Sequence, residues 1–128
     1  MSEKYEVRNM LFLDDDRKKN ISIGKDKFII RALFPKDRKE IARRMSVEQN
    51  GLPANSFSID DRYMFERSAI IDQGMVESPD WWSNADECPD EDVLEFLYVE
   101  IMKWTAEFQE KLKKNRLNKR KPEEQVSG

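Results

Sequence analysis

We expect this chain to be a mainly α-helical protein of the α+β class, with a short N-terminal β-hairpin and a single small domain. Its length of 128 residues suits one domain. β-Branched and aromatic residues flank a glycine-containing turn between residues 21 and 34, which is typical of a hairpin. Further along, apolar residues recur at intervals of three and four, which indicates amphipathic helices. We place the globular domain at 20–114, after an extended or mobile segment at 1–19 and before a disordered charged tail at 115–128.

The second strand of the predicted hairpin has one apolar face. The first strand covers residues 21–23, the turn 24–27 and the second strand 28–34. Because strand side chains alternate between the two faces of a sheet, we expect Arg31 to point away from the core. The four residues expected to point towards the core are Phe28, Ile30, Ala32 and Phe34.

Two helices are predicted next. Pro35 stands at a favourable first helical position. Ile41 and Met45, four residues apart, face the core. Ser58, with an acid three residues later at Asp61, indicates the start of the second helix. Gly74 is a natural C-terminal stop for that helix.

The last predicted helix carries a long apolar stripe. Pro89 and the acids that follow it lie in the first turn, where the helix dipole favours negative charge. Lysines close the helix, which also suits the dipole. The stripe consists of Leu94, Leu97, Ile101, Trp104 and Phe108, and is widened by Val93, Phe96, Tyr98 and Leu112.

The composition argues against catalysis and against cofactors. The chain has no histidine, which removes the commonest general base and the commonest metal ligand. A single cysteine, Cys88, excludes a disulfide within the chain. Four glycines at distant positions provide no phosphate-binding loop. We therefore expect a protein that is not an enzyme and that carries no metal or cofactor.

The hydropathy pattern predicts a cytoplasmic protein with no membrane association. The first residues are polar and lack the apolar stretch of a signal peptide. No run of about 18 apolar residues occurs. Charged residues make up 38% of the chain, which is well above the usual share, so much of the charge must lie on solvated surfaces.

Several aromatic residues are candidates for binding a protein partner. Trp81 and Trp82 are adjacent, so we expect one to pack in the core and the other to be partly exposed. Exposed tryptophans often anchor protein interfaces. On the last helix the aromatic residues project in several directions, which indicates surface for a partner helix or a second copy, although core packing explains the same stripe. The candidates on this helix are Phe96, Tyr98, Trp104 and Phe108.

Basic residues cluster between positions 111 and 121. Seven positive charges in this stretch suit contact with nucleic-acid phosphates. No aromatic residue lies within the stretch to stack on bases, and the net charge of the chain is −3. A solubilising tail is therefore favoured over nucleic-acid binding.

The order of these elements resembles that of the tail assembly chaperones of long-tailed bacteriophages. In that family an N-terminal strand or hairpin leads directly into helices, as residues 27–34 lead into the helix that begins at Pro35. A second helix, an acidic loop and a final amphipathic helix at 92–108 follow. The likeness covers residues 20–114.

This resemblance implies a role in assembly. Such chaperones bind the apolar, helical tape measure protein in the host cytoplasm, keep it in solution and recruit tail tube subunits. Two other functions remain open on the residues alone. One is a structural virion subunit of the neck, baseplate or connector, and the other is a small regulator that binds nucleic acid through its basic tail.

Overall fold

A computed structural model describes residues 14–127 of the chain, with side chains described at 15–53 and 55–117. The predicted fold class is confirmed: three helices accompany a small antiparallel sheet. Short 3-10 turns lie at Asp14–Arg17, Ala54–Ser56 and Ala85–Glu87. The main elements are β1 (Lys18–Ile23), β2 (Asp26–Arg31), α1 (Pro35–Glu48), α2 (Ile59–Gly74), β3 (Met75–Glu77) and α3 (Glu91–Ser127).

The sheet has three strands in the order β1-β2-β3. Ile23 pairs with Asp26, so the hairpin closes on two residues, of which Gly24 has a φ of 60°. A positive φ at the first central residue is typical of a turn that matches the twist of paired strands. The third strand, β3, pairs antiparallel with β2 and was not predicted. Its three residues are too few to show an alternating pattern.

The inward face of β2 forms the centre of the core. Phe28, Ile30 and Ala32 are buried, as the alternation predicts. Phe34 is only half buried, and its ring lies 5.9 Å from the ring of Phe108. The strand ends at Arg31, three residues before the predicted end. The next residue, Ala32, donates its backbone N–H to Arg17 O at 2.8 Å.

The ordered domain begins earlier than residue 20. Residues 14–17 form a 3-10 turn, and Lys18 and Lys19 belong to β1. Arg17 is buried: it donates to Ala32 O and to Asp37, each at 2.7 Å. These contacts explain why a segment that is polar in sequence belongs to the fold. The rest of the segment predicted to be extended or mobile, residues 1–13, lies outside the described residues.

Helix α3 also extends past the predicted domain end at residue 114. Residues 115–127 continue the helix, whereas the charge run predicted a disordered tail. Arginine, lysine and leucine, which are good helix formers, occupy five of the seven positions at 115–121, whereas Pro122 has a low helix propensity. The last side chain of α3 that packs against the core, within the described part, is Leu112.

One buried carboxylate ties four parts of the fold together. Asp37, which is 1% exposed, accepts hydrogen bonds from Gln73 Nε2 at 2.9 Å and from the backbone N–H of Phe34 at 2.8 Å. It also accepts from Arg17 at 2.7 Å and from Arg31 at 3.5 Å. The Asp37 cluster, defined as Asp37 with Arg17, Arg31 and Gln73, thus joins the N-terminal turn, β2, α1 and α2.

The Asp37 cluster makes stability depend on pH. Burial raises the pKa of Asp37, but the hydrogen bonds from Gln73, Phe34 and Arg17 and the charge of Arg31 outweigh burial, so the pKa lies below its ordinary value of 3.8. At a pH between the pKa of Asp37 in the folded protein and its ordinary value in the unfolded chain, the unfolded chain binds more protons at this group. The free energy of unfolding therefore falls as pH falls through this range. We expect urea unfolding midpoints to decrease as pH is lowered below about 4. Asp37→Asn has no carboxyl group at this position, so its stability should depend less on pH in this range. If the variant and the wild type show the same dependence of stability on pH, Asp37 is not the group responsible.

Gly74 at the end of α2 lies directly against Ile101 of α3. The helix ends there as predicted, but Gly74 is not among the residues with positive φ, so a left-handed stop is not the reason for glycine. A Cβ at this position would lie 2.9 Å from Ile101 Cδ1 and 3.0 Å from Ile101 Cγ2. Glycine is therefore required by packing.

We expect Gly74→Ala to destabilise the domain by about 1–3 kcal/mol, because the added methyl group overpacks the contact with Ile101. Chemical denaturation measures the effect. Adding Ile101→Val removes the nearest atom, so the double variant should lose less stability than the sum of the two single variants. If Gly74→Ala were as stable as the wild type, α2 and α3 would have to move apart at this contact without loss of stability.

Candidate protein-binding surface

The two adjacent tryptophans divide as the sequence predicts. Trp82 is half buried and packs against the core, and Trp81 is 49% exposed. Both rings meet the buried ring of Phe28 edge-on, with centroids 5.8 Å away for Trp82 and 6.1 Å for Trp81. Trp81 is therefore held in place by the core while one side of its indole remains open to a partner.

The outward-facing side of α3 carries two uncovered apolar residues. Phe96 is 40% exposed and Val99 is 48% exposed. They are three residues apart, so they lie on one side of the helix. We call this pair the α3 outer patch. Asp92, four residues before Phe96, and Lys103, four residues after Val99, lie at the two ends of the pair and are both exposed. An apolar pair bordered by charged groups suits contact with another protein.

Tyr98 lies between the α3 outer patch and α2. It is half buried, and its ring meets the ring of Tyr63 edge-on at 5.5 Å. The Tyr63 hydroxyl donates a hydrogen bond to Glu95. Burial and this bond to a carboxylate raise the pKa of Tyr63 to about 12. Both tyrosines are therefore neutral and firmly placed at the α2–α3 boundary at neutral pH.

Trp104 and Phe108 are core residues. Trp104 is 8% exposed, and its indole N–H donates to Arg17 O at 2.8 Å. Phe108 is almost fully buried against Trp104, with ring centroids 5.9 Å apart. Neither side chain is accessible to a partner in the folded domain. At these two positions the apolar stripe therefore packs in the core and does not bind a partner. Core packing was the alternative explanation of the stripe that the sequence left open.

A cleft of about 220 Å³ opens where α1, α2 and α3 meet. Its apolar lining includes Leu33, Ile41, Ile70 and Met102. Ile41 and Met45 were predicted to face the core, and their spacing gave no sign that a gap would remain above them. The cleft arises from three segments distant in sequence, so no local pattern could reveal it.

The loop before α3 is fixed by ionic contacts. Arg44 pairs with Asp72 on α2 and lies 3.2 Å from Asp86 in the loop. Asp72 also accepts the backbone N–H of Ala85 at 2.8 Å. These bonds position the loop that carries Trp81 and Trp82. Asp86 thus has a structural role in this segment.

The charged groups form no metal site in the part of the chain that the structure describes. No three of the Asp, Glu or Cys side chains there are placed to hold an ion. Cys88 is half buried, with its Sγ 3.7 Å from Asp90 O. Between residues 14 and 127, no helix combines the length and the apolarity that crossing a membrane requires.

Comparison with known proteins gives no relative. No protein-family model, curated protein or solved structure matches the chain.

Proposed function

We propose that this protein is a non-enzymatic assembly chaperone that binds an apolar, helical client, as the phage tail assembly chaperones do with the tape measure protein. The observation that carries the proposal is the α3 outer patch. Phe96 and Val99 remain exposed on a helix whose other side packs tightly in the core. Apolar surface held out on a rigid element is suited to binding a second protein.

The charge distribution supports the same function. A chaperone for an apolar client must keep the complex in solution, and this chain has 49 charged residues among 128. Lys103 and Asp92, which border the α3 outer patch, are exposed and leave the apolar pair uncovered. Charged residues therefore lie at both ends of the patch, and the apolar pair itself stays exposed. The client proposed is the tape measure protein, with tail tube subunits as the proteins recruited to the complex.

Co-expression with the tape measure protein of the same genome tests this function. We expect the tagged chain to bring the client into the soluble fraction and to co-purify with it. Phe96→Ala and Val99→Ser should weaken recovery of the client. Val47→Ser is the matched control, because Val47 is 72% exposed at the end of α1, away from the patch. Circular dichroism would verify that each variant is folded.

A structural virion subunit is the alternative that the same experiment separates. Such a subunit would leave the client insoluble and would be found in finished particles. That outcome would overturn the chaperone proposal. Trp104→Ala is unsuited to the test, because Trp104 is a core residue and its loss would destabilise the domain.

A further inference from the structure

The cleft between the three helices has the dimensions of a socket for one side chain. Its volume is about 220 Å³. An apolar cavity of about 150 Å³ in another protein accommodates benzene, so the cleft has room for a branched aliphatic or aromatic side chain. The buried residues Leu33, Ile41 and Ile70 form its floor, and Met102 from α3 closes one side. A side chain that entered it would be surrounded by apolar atoms.

The mouth of the cleft is charged on two sides. Arg38 on α1 and Glu66 on α2 are exposed and both line it. No described residue forms an ion pair with either side chain, and they do not pair with each other. Other charged groups on the same helices, such as Arg44 and Asp72, do form pairs. Two opposite charges are thus left available at the edges of an apolar socket.

The rest of the lining of the cleft includes two flexible side chains. Met45 and Met102 line the cleft, and both are half buried. Methionine has an unbranched, flexible side chain that adjusts to the shape of what it contacts. Glu66 also lies near Tyr98, whose pKa is raised by burial and by the charge of Glu66. Met102 also lies three residues after Val99 on α3, so the cleft and the α3 outer patch are neighbours on that helix.

We propose that the cleft receives one large apolar side chain from the client helix, and that Arg38 and Glu66 set the direction in which the helix lies. On the client helix, an acidic residue one turn away from that apolar residue would face Arg38. A basic residue one turn away in the opposite direction would face Glu66. Residues four apart share a helix face, which lets all three contacts form together. This inference rests on the proposed function, because it specifies how the client of that function is recognised.

Filling the cleft tests the apolar contact. Ala42 lines the mouth and is exposed, so Ala42→Leu occupies the socket without disturbing the buried floor. The probe is the tape measure fragment that survives proteolysis in the co-purified complex. We expect its affinity to fall about tenfold or more, as when a central interface side chain is lost. Ser46→Leu is the control, since Ser46 is exposed on the same helix and does not line the cleft.

Exchanging the two charges tests the direction of the helix. The double variant Arg38→Glu with Glu66→Arg keeps the net charge and should weaken binding of the natural fragment. A fragment with its own flanking acid and base exchanged should restore binding to this variant. The control is the exchange of Glu40 and Arg43, an exposed pair 3.0 Å apart on α1 that does not line the cleft.

The outcomes separate this inference from the proposed function. If the wild-type chain binds no client, both are overturned. If the wild-type chain binds and Phe96→Ala weakens binding, while Ala42→Leu and the charge exchange bind normally, the function stands and the role of the cleft is wrong. The proposal is supported if both cleft variants lose binding, both controls bind normally and the exchanged fragment restores binding. The cleft is then the site that receives the client's apolar side chain. Thermal unfolding of every variant verifies that the fold is retained.

Discussion

Asp37→Ala is expected to destabilise the domain by about 3–5 kcal/mol, because it removes the shared partner of two arginines. Arg17, whose side chain is 10% exposed, would keep its charge in a buried position with only Ala32 O to accept from it. Gln73 Nε2 and the Phe34 N–H would lose an acceptor as well. A domain of this size has a total stability of about 5–15 kcal/mol, so the loss is a large part of it.

Urea denaturation monitored by circular dichroism measures the effect of Asp37→Ala. The matched control is Asp80→Ala, since Asp80 is exposed and forms no ion pair with another described residue, and its replacement should change stability by less than about 0.5 kcal/mol. Asp37→Asn should fall between the two, because an amide oxygen still accepts a hydrogen bond but carries no charge. Equal midpoints for Asp37→Ala and Asp80→Ala would show that the Asp37 cluster contributes no net stability.

Trp104→Ala should cost about 3–5 kcal/mol, because it leaves a large cavity beside Phe108 and removes a buried hydrogen bond. The indole N–H of Trp104 is one of two donors to Arg17 O, the other being the N–H of Ala32. The Lys19 and Lys111 ammonium groups, at 5.6 and 5.4 Å from the ring, would also lose their contact with the aromatic face.

Thermal unfolding of Trp104→Ala and Trp81→Ala compares the same substitution in two environments. Trp81 is half exposed, so its loss should cost much less than the loss of Trp104. Trp104→Phe retains most of the buried area and should recover more than half of the lost stability, since Arg17 O keeps Ala32 N–H as a donor. If both alanine variants unfold at similar temperatures, Trp104 is not the core residue that its burial indicates.

The elements that the sequence predicted correctly are those with a local signal. The inward face of β2 follows from alternation over Phe28, Ile30 and Ala32. The start of α2 follows from Ser58, whose hydroxyl accepts the N–H of Asp61 at 3.0 Å. In each of these cases the residues that form the feature are neighbours in sequence, and their chemistry is sufficient to indicate it.

The features that the sequence did not reveal depend on distant partners. Two of the hydrogen-bond donors to Asp37, Arg17 and Gln73, lie 20 residues before it and 36 residues after it. The cleft is formed by three helices, and β3 is recognisable only by its pairing with β2. Trp104 and Phe96 lie on the same helix with similar composition around them, and only packing decides that one is buried and the other exposed.

The bond between Arg17 and Trp104 has a consequence for biosynthesis. The two residues are 87 positions apart, yet they close the same part of the core. On a ribosome the hairpin emerges long before α3, so its apolar face is only partly covered until the final helix is made. Because such distant contacts form late, the nascent chain exposes apolar surface for most of its synthesis. A ribosome that stalls before residue 104 would therefore release a fragment prone to aggregation.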